Sequence, residues 1–178
     1  YLTFTGKYKG IPVSVIGTGI GTDNVEIALV EAFIAHEFNL KDNTRKSDCP
    51  PMTFIRLGTS GGVHPDIAPD TLAISSYALG LDNTGLYYDE APVDEIVERI
   101  EIKAKQILTD AALKDSRFRG KIIPYASKAS TEITEALAKQ AAQQNVKFEV
   151  GITVSSPGFY GPSSRFIEGL KYTFPDIK

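Results

Sequence analysis

Segments with strand-like and helix-like spacing alternate along most of the chain, and this alternation restricts the possible folds more than any other feature. Apolar residues recur at every second position or in short β-branched runs in some segments, and at helical spacing in others. Strands are predicted over residues 2–9, 11–16, 54–56, 72–77, 121–126 and 148–154, and helices over about 24–38, 94–113 and 131–144. This order predicts an α/β protein with a largely parallel or mixed sheet, and 178 residues suit a single domain.

Several connections have a predicted form of their own. Lys9-Gly10 predicts a tight turn that joins the first two strands in a hairpin. Asp23 or Asn24 is the predicted N-cap of the first helix, which is apolar on both faces and is therefore expected to be buried between the sheet and another element or subunit. Residues 39–51 are predicted to be a loop, and residues 78–92 an irregular stretch rich in Gly, Asn and Tyr.

Charge and composition exclude several classes of function. The formal net charge of −3 and the isoelectric point near 5.4 provide no basic field for a nucleic-acid backbone, so a recognised phosphate is expected to be small. A single cysteine, Cys49, excludes an internal disulfide framework and has no neighbouring His to activate it. No apolar run is long enough to span a membrane and no signal-peptide pattern is present, so a cytoplasmic protein is expected.

Three of the predicted strands are followed by loops that contain glycine. These loops cover residues 17–22, 58–62 and 155–165, and ligands of open α/β sheets collect beyond the carboxyl ends of strands. The loops are therefore predicted to converge on one pocket. The first loop resembles a dinucleotide-binding fingerprint, but Thr22 occupies its third glycine position and no acidic residue ends a second strand, which disfavours a dinucleotide-binding protein.

Arg56 stands directly before the Gly-Thr-Ser-Gly-Gly run and is the first candidate functional residue. A permanently charged guanidinium, two hydroxyls and flexible glycine backbone together make a suitable oxyanion or phosphate pocket. The alternative is a strand end with a surface arginine and a tight turn. The run by itself does not distinguish the two.

Metal chemistry and acid–base catalysis by paired carboxylates have little support in the sequence. His36 and His64 lack ligand spacing and are interpreted as structural or exposed. The acidic residues between Asp94 and Asp110 are interpreted as the solvated face of an amphipathic helix. No metal site is therefore predicted.

Three segments in combination resemble the nucleoside phosphorylase family, and within it the uridine phosphorylases. They are residues 15–21, 54–61 and 151–165, which occur in the family's order with similar spacing. The resemblance implies a three-layer fold with a mixed central sheet flanked by helices, and the phosphorolysis of uridine or a related pyrimidine nucleoside to base and ribose 1-phosphate. It also implies inorganic phosphate as co-substrate without a metal or redox cofactor, and a homo-oligomer, either a dimer or a hexameric ring of dimers.

The same resemblance assigns roles to individual residues. The implied phosphate ligands are Arg56 and Thr59, the implied pocket backbone is Gly19, Ile20, Gly21, Gly58, Ser60 and Gly61, and the implied base-binding positions are Phe159, Ser163 and Arg165. Phe159 would pack on the base and Arg165 would donate to a pyrimidine carbonyl. Phosphorolysis builds negative charge on the departing base and needs cations around the phosphate, which suits these residue types.

The chain also departs from the family pattern. Ser163 stands where pyrimidine-specific members carry a glutamine, so the choice between pyrimidine and purine stays open. The family's Gly-Asp-Pro segment, a second phosphate-binding arginine and a Glu-Met-Glu ribose clamp are not found, so the chain is expected to be the inactive middle part of a longer enzyme. The alternatives are a purine nucleoside phosphorylase or a nucleosidase of the same fold, or a non-catalytic module that binds nucleosides or small anions.

Overall fold

The computed structural model describes residues 1–88 and 94–158. The chain divides into two compact units, Tyr1–Gly58 and Thr59–Lys178. The single domain stays a prediction.

The first unit begins with the predicted hairpin. Strands β1 (Thr3–Tyr8) and β2 (Ile11–Ile16) pair antiparallel, and the turn residues Lys9 and Gly10 have φ of 49° and 84°. Positive φ at both central positions is the type I′ geometry that matches the twist of the two strands. The hairpin prediction is confirmed.

Helix α1 (Thr22–Glu37) follows, and its N-cap is Gly21, which makes no side-chain cap. The predicted caps Asp23 and Asn24 lie inside the first turn instead, where the Asn24 side chain donates to the Ile20 carbonyl at 2.7 Å. Ala28 is the buried residue of the helix. The larger apolar side chains in the middle of the helix are about two-fifths exposed, so the described residues do not bury both faces; these side chains are Ile27, Leu29, Val30, Phe33 and Ile34.

The predicted loop over residues 39–51 contains a short antiparallel pair, β3 (Phe38–Asn39) with β4 (Thr44–Arg45). The Asp42 carboxylate closes the turn between them, since it accepts from the Thr44 hydroxyl at 2.6 Å and the Thr44 N–H at 3.1 Å. The hydroxyl bond is the main reason that the pKa of Asp42 is lowered. The predicted loop thus includes a short hairpin, which local Asx hydrogen bonds support.

The predicted strand that ends at Arg56 is absent. Residues 51–62 have no regular secondary structure, and Phe54, Ile55 and Leu57 are exposed. A strand persists only when a neighbour takes up its backbone hydrogen bonds and its apolar side chains are covered. No described strand pairs with this segment, so the prediction of a buried strand is wrong for the described chain.

The second unit contains a three-stranded mixed sheet in the order β6-β5-β7. Strand β5 (Leu72–Gly80) is central, β7 (Phe148–Ser155) runs parallel to it, and β6 (Tyr125–Lys128) runs antiparallel. The ladder between β5 and β7 shifts register between Ser75 and Tyr77. These elements confirm the α/β class and the mixed sheet.

Helices α2 (Glu95–Ile107) and α3 (Thr131–Gln143) confirm the two later helix predictions. Their N-caps are side chains, since Asp94 accepts from the Ile96 and Val97 N–H groups and Ser130 accepts from the Ile133 N–H. Helix α2 continues into a π-helical turn over Leu108–Ala112. A 3₁₀ helix over Thr84–Tyr87 follows β5, in the stretch that was predicted to be irregular.

Strand β6 is shorter than predicted and starts four residues later. Lys105 of α2 donates to the Gly120 and Ile122 carbonyls at 2.7 and 2.8 Å, and these bonds hold the approach to the strand outside the ladder. Glu101, one turn earlier, accepts from the Ala126 N–H at 2.7 Å. Side chains of α2 thus satisfy backbone groups of the segment before β6 and one N–H group of β6 itself.

The core of the second unit lies between α2 and the sheet. Helix α2 packs on β5 and β6, while α3 packs on β5 and β7. The buried cluster consists of Leu79, Leu81, Val97, Ile100, Ala104, Leu108, Ala126 and Ile152. This core holds the carboxyl ends of β5 and β7 in place beside each other.

Candidate functional site

The turn Gly19-Ile20-Gly21 directly precedes α1. Gly19 and Gly21 have φ of 76° and 105°, a region that side-chain-bearing residues rarely adopt, and the Ile20 side chain is 92% exposed. The glycines therefore permit the sharp entry into the helix. They also leave the N-terminus of α1 without a side-chain cap, and such a helix start favours anions nearby.

Arg56 is exposed, and its guanidinium lies against Gly58. A Cβ atom built on Gly58 would be 3.4 Å from both terminal nitrogens of Arg56 and 3.5 Å from Cζ. Within the described residues, the guanidinium makes no hydrogen bond or ion pair. Glycine at position 58 thus lets the charged group fold over the backbone, with all its donors available to a ligand.

Thr59, Ser60 and Gly61 open the second unit and are exposed and irregular. Two turns follow, and each is closed by a backbone hydrogen bond. The Ile67 N–H donates to the His64 carbonyl at 3.2 Å, and the Thr71 N–H donates to the Ala68 carbonyl at 3.3 Å. Arg56 and Thr59 belong to different compact units. Their joint binding of one phosphate therefore stays a prediction.

The carboxyl ends of β5 and β7 lie beside each other, whereas the convergence of the three glycine-containing loops on one pocket stays a prediction. The Leu81 N–H donates to the carbonyl of Ser155, the last residue of β7, at 3.0 Å. Beyond Ser155 the structure describes residues as far as Gly158, whose N–H donates to the Ser156 hydroxyl at 3.4 Å. The predicted base-binding residues Phe159, Ser163 and Arg165 lie outside the described residues.

At the same end of the sheet, Asp82 and Tyr125 form a hydrogen bond that the sequence did not reveal. The Tyr125 hydroxyl donates to Asp82 Oδ1 at 2.6 Å, and the same oxygen accepts from the Thr84 N–H at 2.9 Å. Asp82 Oδ2 is buried and has no hydrogen-bond partner among the described residues. Burial and the neighbouring carboxylate raise the pKa of Tyr125 to about 12, so its hydroxyl remains a donor at neutral pH.

Two glycines make room for the Tyr125 ring. A Cβ atom on Gly80 or on Gly85 would come within 3.0 Å of ring atoms, closer than real side chains allow. Gly80 also pairs with Tyr125 in the ladder between β5 and β6. The only trace of this arrangement in the sequence is the pair of glycines around Asp82, five positions apart.

A second polar cluster joins the start of α2 to β6. Asp94 Oδ2 lies 3.3 Å from Lys128 Nζ and 3.5 Å from the Tyr77 hydroxyl. The Val97 N–H is the main reason that the pKa of Asp94 is lowered, and the hydrogen bond to Asp94 is the main reason that the pKa of Lys128 is raised. Asp94 thus caps α2 and also pairs with Lys128 of β6.

His36 and Cys49 make structural contacts, whereas His64 Nε2 is buried without a hydrogen-bond partner in the described part of the chain. His36 Nε2 bonds to the Pro50 carbonyl at 2.7 Å, and the Cys49 thiol donates to the His36 carbonyl at 3.2 Å. Over residues 1–88 and 94–158, no three His, Cys, Asp or Glu side chains are grouped closely enough to hold a metal ion. None of the helices in that part of the chain is long and apolar enough to cross a membrane.

Comparison with known proteins extends these observations. Residues 1–175 match the family model described as the phosphorylase superfamily. A uridine phosphorylase of Thermococcus kodakarensis is 31% identical over 99% of this chain and 47% of its own length. A DeoD-type purine nucleoside phosphorylase of Levilactobacillus brevis is 28% identical over 90% of this chain and 70% of its own.

One solved structure is similar over nearly the whole chain. It is a nucleoside phosphorylase of Trypanosoma brucei that shows uridine phosphorylase activity, and it superposes with a TM-score of 0.73 at 28% identity. The alignment covers 98% of this chain and 59% of that protein. The chain thus spans about half the length of the uridine phosphorylases that it matches.

Proposed function

The chain belongs to the phosphorylase superfamily, and from this membership we propose that the protein containing it phosphorolyses a nucleoside, with uridine or a related pyrimidine nucleoside as substrate. The products are the free base and ribose 1-phosphate, which makes the protein a pentosyltransferase. The observation that carries the proposal is the similarity to a uridine phosphorylase across 99% of the chain. The structural similarity to a second uridine-cleaving enzyme supports it independently.

In the proposed reaction, a phosphate oxygen attacks the anomeric carbon of the ribose as the bond to the base breaks. The bonding electrons leave with the base, which then takes up a proton. The sugar passes through a state with oxocarbenium character, while the phosphate keeps its negative charge. The site therefore needs fixed cations and N–H donors at the phosphate, and a donor at the carbonyl of the base.

Arg56 is the proposed main phosphate ligand. Its exposed guanidinium has no ionic partner among the described residues, and its planar donors suit two phosphate oxygens at once. Thr59 is the proposed second ligand through its hydroxyl. Gly58, Ser60 and Gly61 would supply close backbone, and Gly19, Ile20 and Gly21 would form the adjoining wall.

The base is proposed to bind to the segment after β7. Phe159 would pack on the ring, and Arg165 would donate to a carbonyl oxygen and so stabilise the charge that develops on the departing base. Ser163 is too short to present the two-sided amide edge of a glutamine. We therefore expect weaker discrimination of uracil from other bases than in the glutamine-bearing relatives.

A purine nucleoside is the second candidate substrate class. Two observations favour it, namely Ser163 and the similarity to DeoD-type purine nucleoside phosphorylases. A nucleosidase would use water in place of phosphate and would gain nothing from an anion clamp at Arg56. The phosphorylase is therefore preferred.

The test uses the full-length protein with uridine, thymidine, inosine and adenosine, each with and without phosphate. Release of base and ribose 1-phosphate that depends on phosphate would support the proposal, and the relative rates would identify the substrate class. Hydrolysis without phosphate would indicate a nucleosidase. The full-length protein could also form no product from any nucleoside at saturating phosphate and still bind uracil measurably in calorimetry. That result would indicate a non-catalytic binding module instead of an enzyme.

Three further parts of the proposal concern the setting of the reaction. The enzyme is proposed to need no metal or redox cofactor, to act in the cytoplasm, and to assemble as a dimer or hexamer. Activity of the full-length protein after exhaustive chelation tests the first claim, cell fractionation tests the second, and light scattering tests the third. The chain over residues 1–178 alone is expected to be close to inactive, since the ribose clamp and the second phosphate arginine of the family are not found in it.

A further inference from the structure

The connection between α2 and β6 carries a concentration of positive charge that has no role in the proposed reaction. Residues 114–121 contain four cations and one anion, so this segment has a net charge of +3 in a chain whose net charge is −3. The cations are Lys114, Arg117, Arg119 and Lys121, and the anion is Asp115. All five residues are exposed. Residues 113–121 are called the basic turn below.

Backbone hydrogen bonds keep the basic turn compact. The N–H groups of Ser116, Arg119 and Lys121 each donate to the carbonyl three residues earlier at 3.0 Å. Lys105 of α2 anchors the end of the turn through the Gly120 carbonyl at 2.7 Å. Each bond of the first kind closes a turn whose first and last Cα atoms lie within about 7 Å, so the charged side chains start from neighbouring backbone positions. A backbone that is already ordered loses little conformational entropy when a partner binds.

Contacts within the described chain account for one of the four cations. Arg119 donates to the Thr109 carbonyl at 3.0 Å and to Asp110 Oδ1 at 3.1 Å. A cation suits this place beyond α2, because the C-terminal end of a helix favours positive charge. The other three cations have side chains without a hydrogen bond or ion pair in the part of the chain that the structure describes; they are Lys114, Arg117 and Lys121. Neighbouring like charges repel each other, so an anion that binds here relieves this repulsion.

Phe118 adds an apolar contact surface in the middle of the basic turn. Its ring is 49% exposed, and the Arg117 guanidinium lies 4.5 Å from the ring centroid. This stacking holds a positive charge directly beside an apolar surface. A partner that combines negative charge with an apolar side chain would find both kinds of contact together. Arginine and large aromatic side chains are also among the residue types that contribute most to binding at protein interfaces.

We propose that the basic turn binds an acidic segment of another protein, and that an apolar side chain of this segment packs on Phe118. The charge of the remaining chain favours a short segment over a nucleic acid or an anionic membrane. Outside residues 114–121 the net charge is −6, because the whole chain has −3 and the segment has +3. Screening limits the field of the basic turn to about 8 Å at physiological salt. A long polyanion extends beyond this distance and is repelled by the acidic remainder, whereas a few acidic residues are not. This surface is independent of the proposed reaction.

The experiment measures how a fluorescent acidic peptide binds to the full-length protein, by fluorescence anisotropy. The peptide is Glu-Glu-Asp-Phe-Glu-Asp-Glu. One counterpart, the amide peptide, has Gln and Asn in place of the acidic residues, and the other, the serine peptide, has Ser in place of Phe. The acidic peptide is expected to bind saturably, at least about tenfold more tightly than the amide peptide and about threefold to tenfold more tightly than the serine peptide. Raising NaCl from about 0.05 M to about 0.5 M should weaken its binding by at least about tenfold.

Two double variants locate the binding. Lys114→Glu combined with Arg117→Glu reverses two cations of the basic turn and should weaken binding of the acidic peptide by at least about tenfold. Lys139→Glu combined with Lys147→Glu is the matched control, because both lysines are exposed in the same compact unit and the net charge changes equally. The control should stay within about twofold of wild type. All four side chains are exposed, so both double variants should keep a melting temperature near that of wild type.

Four results would overturn the inference. The first is the absence of saturable binding of the acidic peptide to the wild-type protein, and the second is an equal loss of affinity in the two double variants. The third is tighter binding of single-stranded oligothymidine than of the acidic peptide at about 0.15 M NaCl, which would indicate a nucleic-acid surface. The fourth is a smaller particle in light scattering for the basic-turn variant than for wild type and the control, which would indicate that a second copy of the chain occupies the turn.

Discussion

Replacing Arg56 by methionine should cost the full-length protein most of the phosphate-dependent activity proposed for it. The guanidinium is exposed and has no ionic partner among the described residues, so its charge is available to a ligand. Removing one preorganised charged donor at a developing or transferred anion costs about 100-fold to 1,000-fold in rate, or about 2.7–4 kcal/mol. We therefore expect kcat/KM for phosphate to fall by at least about 100-fold.

The structure separates this effect from a loss of stability. Because the Arg56 side chain makes no hydrogen bond or ion pair within the described residues, its removal should leave the melting temperature nearly unchanged. Arg56→Lys keeps the charge and loses the planar fork, so it should recover about tenfold of the lost activity. Arg45→Met is the matched control, since Arg45 is also exposed and pairs with Glu37 outside the proposed site.

The assay measures ribose 1-phosphate at saturating nucleoside while phosphate is varied, and records thermal unfolding in parallel. A drop in kcat/KM for phosphate of less than about threefold in Arg56→Met would refute the phosphate role. An equal drop in kcat/KM for phosphate in Arg45→Met would show that the assay responds to the loss of any surface positive charge and not to a local phosphate site. A large fall in melting temperature would show that Arg56 carries structure instead.

Three further predictions follow from individual contacts. Gly58→Ala places a Cβ atom 3.4 Å from both terminal nitrogens of Arg56, so KM for phosphate should rise by about threefold to tenfold while KM for the nucleoside stays unchanged. Equal changes in the two KM values would contradict a local effect of position 58 on Arg56. Ile100 is 1% exposed, so Ile100→Ala should lower the free energy of unfolding, measured by urea denaturation, by about 2–5 kcal/mol. Ile102 lies on the same helix but is 58% exposed, so Ile102→Ala should change the free energy of unfolding by less than about 0.5 kcal/mol. The pKa of Tyr125 is raised to about 12 from 10.0, so the contribution of its hydroxyl to the free energy of unfolding is complete below pH 10.0 and is lost as the pH rises to about 12. Tyr125→Phe should therefore remove this part of the loss of stability at alkaline pH. An unchanged dependence of stability on pH in the variant would argue against the raised pKa.

The parts of the fold with strong local signals were predictable from sequence. Lys9-Gly10 has the chemistry of a type I′ turn, and Asp94 and Ser130 are good caps, so the hairpin and the two later helices form where their spacing indicates. Strand β7 was also found, because a β-branched run after a helix is typical of a parallel strand. The resemblance in residues 15–21, 54–61 and 151–165 likewise needs only sequence order, and the family it indicated is confirmed.

Two failures concern features that depend on partners distant in the chain, whereas the N-cap of α1 and the short hairpin over residues 38–45 were missed although their contacts are local. The run before Arg56 has strand composition, yet a strand exists only when another strand accepts its hydrogen bonds, and no described strand does so. The Asp82–Tyr125 bond joins residues 43 positions apart, and no local period indicates such a pair.

The sequence alone thus determined most of the alternation of elements, the turn at Lys9-Gly10, and the motifs that identify the family, because each depends on neighbours within a few positions. The tertiary structure decided which strands pair, where β6 begins, and that Gly80 and Gly85 leave space for Tyr125. Those outcomes depend on which side chains and backbone groups compete for the same space and the same hydrogen bonds, and that competition is settled only when the chain packs.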